Sequence, residues 1–586
     1  MSWLAKINLH RHRAALVLAI VVGVLSVTPH LLAVRSIGSA YRDIPFMYTD
    51  DEDIYLARMQ EIVDGHPSVG SAFFYEYKND RALLPPIGEY VYVGLSRATG
   101  LVLAQTLVLA KFLFPALLFL LIYAFLRRLL TSEPPRLQTL GAIAGGLLVT
   151  LGYDLLSIQD IWSLLHGQDI GVRVSLWTRP VNPILGALLV FGYLNLLWKA
   201  LEERRLWVGV LAGILLGASV FYFFSWGVLI SVTAVLGAIF LAQKDWRRVK
   251  QVAIVVGTSF IVSAPYWIST FRSVGGEVGR ALALRNGMFF THAPLLNKTL
   301  LAALILFLLA SAYLVRRGTS WRELTREPWW IVSASLLLGG LLALNQQIVT
   351  GREIWPYHFV QYTKPFAMIV VIVILIRAVG ARWSRAVGAA CGAFLLFVIL
   401  QAGAAAVTHQ SVLPDFKKRQ ADAELFDWLN RNASPDCVVL AKERVERLAR
   451  LIPAFTHCNT YISSWVFSGV PEDRIAHNFF LHLRLQGVTS ANVRSYLLSH
   501  PNLVRSSFFD DWKTIFMTGV DDWLLRQIDV LEPRYRVFLQ QNALDQLHAY
   551  RVDYFVSDAL LSSDERKAWA IKGDPIPIGG HLLYLL

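Results

Sequence analysis

Charge is scarce in this 586-residue chain: Asp, Glu, Lys and Arg make up 17% of it, against roughly 25% in a typical soluble protein. That shortage excludes an ordinary water-soluble enzyme. Cysteine is scarcer still, with three in all, which cannot all pair with one another. Also missing are a Walker glycine-lysine loop and a clear G-x-G-x-x-G, the usual phosphate cradles of nucleotide sites. There is no internal repeat and no low-complexity block.

In place of charge the chain has apolar length. It is 55% hydrophobic, its mean hydropathy is +0.47, and apolar windows of about 20 residues, enough to cross a bilayer, recur from Ala14 to Val407 and then stop. The first, 14–34, follows a basic start, and its apolar core exceeds the roughly 7 to 15 residues of a signal-peptide core, so it reads as a retained anchor. Further spans fall near 101–125, 137–156, 182–198, 207–221, 225–241, 249–271, 300–315, 329–349, 366–379 and 386–407. The run 207–241 is too long for one crossing and has basic residues at both ends, so it splits near Phe223. The fold class is a polytopic α-helical membrane protein with about eleven transmembrane helices.

The net charge of +13 is explained by loops between spans, and no nucleic-acid partner is expected. Basic clusters follow alternate spans: Arg127, Arg128 and Arg136; Lys199, Arg204 and Arg205; Lys244, Arg247, Arg248 and Lys250; Arg316, Arg317, Arg322 and Arg326; Arg377, Arg382 and Arg385. By the positive-inside rule these loops are cytoplasmic, as is the start with Lys6, Arg11 and Arg13. An odd number of crossings then puts the tail outside, with the loops 50–81, 160–179, 272–292 and 351–364. The expected division is a transmembrane domain, 1–408, whose first outer loop is 35–100, and an extracytoplasmic α/β domain, 409–586, in a multi-pass protein of the plasma (inner) membrane. In the tail, 421–429 and 443–451 read as helices, 437–440 and 554–557 as strands. Cys391 lies within a span, which leaves Cys437 with Cys458 as the pair a disulfide could join; bonded or free stays open.

The most informative stretch is Tyr48-Thr-Asp-Asp-Glu-Asp-Ile-Tyr-Leu-Ala-Arg-Met-Gln-Glu-Ile-Val-Asp-Gly-His66. Tyr55, Met59, Ile62 and Val63 form the apolar stripe of an amphipathic helix suited to the outer membrane surface, closed by Gly65. Thr49 and Glu52 have capping-box spacing, and Asp50 and Asp53 suit the positive end of the helix dipole. Capping needs one or two acids, however, and four together raise one another's pKa and repel. At least one of Asp50, Asp51, Glu52 and Asp53 is therefore expected to serve function.

At these residues the sequence resembles the GT-C superfamily of membrane glycosyltransferases, which use polyprenyl-phosphate-linked sugars and include aminoarabinose transferases and protein mannosyltransferases. The matching pattern is Asp51-Glu52-x-x-Tyr55 directly after the first span, opening an amphipathic helix that Gly65 ends. The resemblance implies a catalytic carboxylate at Asp51 with Asp50, Glu52 and Asp53 as neighbours. It also implies a lipid-linked donor and an extracytoplasmic glycan, lipid or protein acceptor. Relatives often continue with Lys-Pro-Pro-Leu; here Arg81-Ala-Leu-Leu-Pro85-Pro86-Ile is similar but displaced, so the basic role is open between Lys78 and Arg81.

The chemistry fits these residue types. A neutral hydroxyl is a poor nucleophile and needs a base, while the transition state gains positive charge at the anomeric carbon; a carboxylate serves both needs, here with inversion. The leaving polyprenyl phosphate is already an anion, so it needs cations more than an acid. Candidates for binding substrate are Tyr55, Lys78, Arg81, Arg179, Arg352 and His358, arginine forks fitting phosphate oxygens well. Interfacial anchoring of helices explains Lys364. Asp160, His166 and Asp169 could join Asp51 around Mg or Mn. No cofactor is certain and the metal ligands are unknown. Lys111, charged inside a span, is either functional or half of a structural pair. In the tail, Trp465 and Phe467 are candidates for an exposed patch or for aromatic core. The competing readings are a secondary transporter, which predicts ionisable groups at the bilayer midplane, and a lipid-linked polysaccharide polymerase or ligase.

Overall fold

The computed structural model describes residues 9–48, 51–80, 85–155, 162–163, 166–168, 175–203, 205–274, 279, 288–379, 384–408, 412–442, 445–463, 470–508, 520–571 and 573–586. Each of the eleven apolar runs is helical. Helix α1 (Leu9–Ile37) leads into a first loop that carries α2 (Glu52–Val63) and α3 (Ile87–Thr99), followed by α4 (Leu103–Leu129) and α5 (Pro135–Thr150). Further apolar helices are Ile184–Glu203, Leu206–Ala218, Phe223–Ala242, Trp246–Val274, Lys298–Arg316, Pro328–Leu344, Pro356–Val379 and Ser384–Thr408. Among the described residues eight helices are long and apolar enough to cross a membrane. Large apolar side chains face outward from the bundle, Ile261 with 77% of its surface open, as lipid contact requires where no hydrophobic force drives helices together.

Pro29 lies inside α1 and has no N–H for the helical ladder. Around it the Tyr48 hydroxyl enters the helix, accepting from the His30 N–H at 2.9 Å and donating to the Ser26 carbonyl at 3.3 Å. This contact draws the start of the acidic segment back against the span.

Among the described residues two sheets accompany the helices. Strand β1 (Met288–Phe290) pairs antiparallel with β2 (Arg352–Ile354). In the C-terminal region β3 (Val438–Ala441), β4 (Asn459–Thr460), β5 (Tyr554–Ser557), β6 (Ile576–Ile578) and β7 (His581–Leu585) form one sheet in the order β4-β3-β5-β7-β6. Strand β3 runs parallel to both its neighbours, while β7 is antiparallel to β5 and β6. Helices Ala423–Asn432 and Val445–Phe455 fall where the sequence predicts helices. Cys437 and Cys458, which precede β3 and β4, are joined as a disulfide.

This C-terminal region grips the first loop. The Thr460 N–H donates to the Phe73 carbonyl at 2.9 Å, Gln420 bonds both the Arg42 N–H and the Ile44 carbonyl, and helix Val445–Phe455 packs along α2. The expected placement of α2 as a surface helix therefore needs correction. Met59 and Ile62 of its stripe are buried and Val63 is exposed, but Glu52, Asp53 and Glu61 on its other sides are buried as well. It is held between α3 and the C-terminal helix.

Candidate active site

The site begins with three successive acids at the start of α2. Asp51 is the N-cap residue, and helical neighbours project about 100° apart, so the three carboxylates face three different structures. Asp51 pairs with Arg179 and keeps 31% of its side chain open. Glu52, completely buried, pairs with Lys111 of α4 at 2.6 Å and accepts the Tyr48 N–H at 2.6 Å. Asp53 meets Arg450 of the C-terminal region, Oδ2 lying 2.7 Å from Nε and Oδ1 2.8 Å from Nη2. Burial pushes the Asp53 carboxyl up to about 6 although Arg450 and Arg419 pull the other way.

The expected capping box is thus replaced. Asp51 takes the N-cap position and the helix starts at Glu52, which reaches back to Tyr48 and down to Lys111, because burying a carboxylate demands a cation and donors. Lys111 completes the pocket for that charge: it donates to the Phe46 carbonyl at 3.1 Å and lies 3.7 Å from the centre of the Tyr48 ring. Asp50, Thr49, Arg81, Asp160, Asp169, Trp465 and Phe467 lie outside the described residues.

Arg179 is brought to Asp51 by a loop whose anchor is Trp177, buried, with its ring N–H donating to the Val149 carbonyl at 2.8 Å. A capped turn, Leu176–Thr178, precedes Arg179. Beyond it, Asn182 Nδ2 lies 3.2 Å from His358 Nδ1, which is 2.5 Å from the Tyr222 hydroxyl. Tyr362 donates to the Pro183 carbonyl at 3.4 Å. Around the guanidinium stand Tyr55, Tyr222 and Tyr357, close enough to feel its charge. Burial pushes the Tyr55 phenol up to about 12; Arg179 opposes that rise and Asp51 adds to it. Tyr55 is therefore a neutral O–H at ordinary pH. The Arg179 Nε is buried and has no hydrogen-bond partner among the described residues, so the arginine holds a donor in reserve.

The remaining expected binding residues divide between this cluster and other parts of the fold. His358 is buried among the rings of Tyr357, Phe224 and Trp355, at centroid distances of 4.3, 4.7 and 5.1 Å. It touches the Arg179 loop through Asn182. Arg352 is exposed on β2. Lys364 donates to the Tyr153 carbonyl at 2.7 Å over that residue's ring. Lys78 is buried, with Asp436 at 2.5 Å and Glu61 at 3.5 Å, and donates to Asn459 at 3.2 Å. Glu61 lies ten residues beyond Asp51, about 15 Å along the helix, which separates Lys78 from the Asp51 group. Burial pushes the Glu61 carboxyl up to about 7 against the pull of Lys78. His166 is exposed, its ring tilted against that of Trp162 with centroids 4.2 Å apart. Among the described residues, the three candidate metal ligands that come together are Cys437, His457 and Cys458, two of them spent in the disulfide; no such group forms around Asp51.

Sequence reasoning missed Arg450 and Tyr222. Neither carries a local signal: each sits in an ordinary helical or apolar context, and its place in the site arises from what packs against it.

No family model and no curated protein sequence matches the chain. Among solved structures it is similar to ArnT from Cupriavidus metallidurans bound to undecaprenyl phosphate, over 98% of this chain and 97% of that one, with 13% identity and a TM-score of 0.47. It also aligns with the Archaeoglobus fulgidus oligosaccharyltransferase in the apo form, over 95% of this chain and 70% of that one, with 14% identity and a TM-score of 0.42. The same oligosaccharyltransferase in complex with Zn and sulfate aligns over 93% and 68%, with 13% identity and a TM-score of 0.41. The chemistry is read from the side chains.

Proposed function

We propose that this multi-pass membrane protein transfers a sugar from a polyprenyl-phosphate donor to a hydroxyl of a glycan, lipid or protein outside the cytoplasm, with inversion. The observation that carries this reading is the Asp51–Arg179 pair: one carboxylate that solvent can still reach, facing an arginine with a spare buried donor and neutral phenols around it. Arg179 is positioned to take the donor phosphate, which displaces Asp51 from the guanidinium and frees its carboxylate. Asp51 then removes the acceptor proton as the acceptor oxygen bonds to the anomeric carbon. The bond from that carbon to the phosphate oxygen breaks, and polyprenyl phosphate leaves as an anion stabilised by Arg179. Tyr55 supplies a neutral donor beside both.

Glu52 and Asp53 do no chemistry in this scheme, since each is already neutralised by a buried or forked cation. A divalent cation, if one takes part, would find Asp51 as a single oxygen ligand among the described residues, and no step here needs it.

The test uses purified protein in lipid nanodiscs with a radiolabelled polyprenyl-phosphate sugar. Asp51→Asn is expected to lower transfer about 100- to 10,000-fold, the usual worth of a general base, with an unchanged melting temperature. Arg179→Met is expected to raise the donor KM more than Arg179→Lys does. Wild-type turnover in folded Asp51→Asn sinks the reading, and solute uptake into vesicles without sugar transfer points to a carrier.

A further inference from the structure

The C-terminal region touches α2 through charges that no step of the proposed reaction uses. At the start of the helix, Arg450 holds Asp53 at two points, 2.7 and 2.8 Å. At the other end, Asn459 donates to Glu61 at 3.3 Å, and Lys78 bridges Glu61 to Asp436. Asp436 and Asn459 directly flank the two disulfide cysteines, so the bond between β3 and β4 ties together the two residues of that distal clamp.

Asp51 has little of its own to aim it. As N-cap residue it makes no side-chain capping bond, and its partner Arg179 is the group that substrate must compete for. Its direction is therefore inherited from the rotation of the first turn of α2. Two pins set that rotation: Glu52 on Lys111 below and Asp53 on Arg450 above, both carboxylates buried beyond reach of substrate. Arg450 Nη2 donates to Oδ1 while Nε stands as an ion-pair contact 2.7 Å from Oδ2, and a planar guanidinium laid against both oxygens constrains rotation more than a single ammonium can.

We infer that Arg450 is a positioning residue for the transfer reaction, through its contact with both oxygens of Asp53 setting the direction of the Asp51 carboxylate; the inference rests on the function proposed above. Misplacing a reacting group by about 1 Å is enough to cost on the order of 100-fold in rate.

The experiment measures donor KM, kcat and melting temperature in nanodiscs for Arg450→Lys, Arg450→Gln and the neutral hydrogen-bonding pair Asp53→Asn with Arg450→Gln. The expected result is a fall in kcat of ten-fold or more in Arg450→Lys with donor KM within about two-fold of wild type. Partial rescue of kcat is expected in the neutral pair, which restores a contact across the same gap without leaving a buried charge alone. Folded Arg450→Lys with wild-type kcat overturns the inference, as does a loss of melting temperature with unchanged turnover per folded molecule. Failure of the wild-type protein to transfer sugar at all sinks the underlying function, a result distinct from either.

Discussion

At the scale of single residues, the Glu52–Lys111 pair shows how costly the site's geometry is to maintain. Both charges are fully buried, 2.6 Å apart, and removing one leaves the other unpaired in a medium that does not solvate it. Lys111→Met is expected to destabilise the protein by about 3–5 kcal/mol, seen as a lower melting temperature in detergent, and adding Glu52→Gln should restore most of the loss. Equal melting of the single variant and wild type contradicts the pairing. Lys111 stands out in the sequence because a lysine in an apolar run has few bland explanations, whereas its partner does not. Nothing local distinguishes Glu52 from Asp51 or Asp53: each looks like an acid in the first turn of a helix, and only the three cations they face tell them apart.

Among the elements, α2 matters most. Its limits are legible from the apolar stripe and from Gly65, whose φ of +98° is easy only for a residue without Cβ. Its surroundings are not, since an amphipathic pattern says that one face is buried but not what buries it, and a second helix covers the polar side. The consequence is a carboxyl at Glu61 held at about 7 from an ordinary 4.5. Folded Glu61 keeps its proton through that window while the unfolded chain has released it, so the folded state binds more protons there. Stability therefore falls as pH rises from about 4.5 to about 7, by at most roughly 1.4 kcal/mol per pH unit, and levels off above. Melting curves between pH 5 and 8 should show this decline, and Glu61→Gln should flatten it. An unaltered slope in that variant assigns the decline to another group.

For the molecule as a whole, the division between bundle and C-terminal region, together with the loop that joins them functionally, predicts where the end of the chain lies. The sequence-based expectation of eleven crossings from a cytoplasmic start puts Leu586 outside, on the same side as α2, which the C-terminal region grips. A phosphatase reporter fused after Leu586 should be active in intact cells and a fluorescent protein fused there dark; the reverse pattern requires an even number of crossings. The amino-acid sequence by itself determined the membrane class, the helices, the strands β3 and β5 and the suspicion falling on the acids from Asp50 to Asp53, because hydropathy, turn residues and crowded charges act over a few residues; the family resemblance singled out Asp51 among them. Only the tertiary structure decided which acid keeps access to solvent and which basic residues serve it. Asp51 meets Arg179 across 128 residues of chain and Asp53 meets Arg450 across 397, and pairings at that range are set by how helices and sheet pack, a property of the assembled fold that no short window of sequence contains.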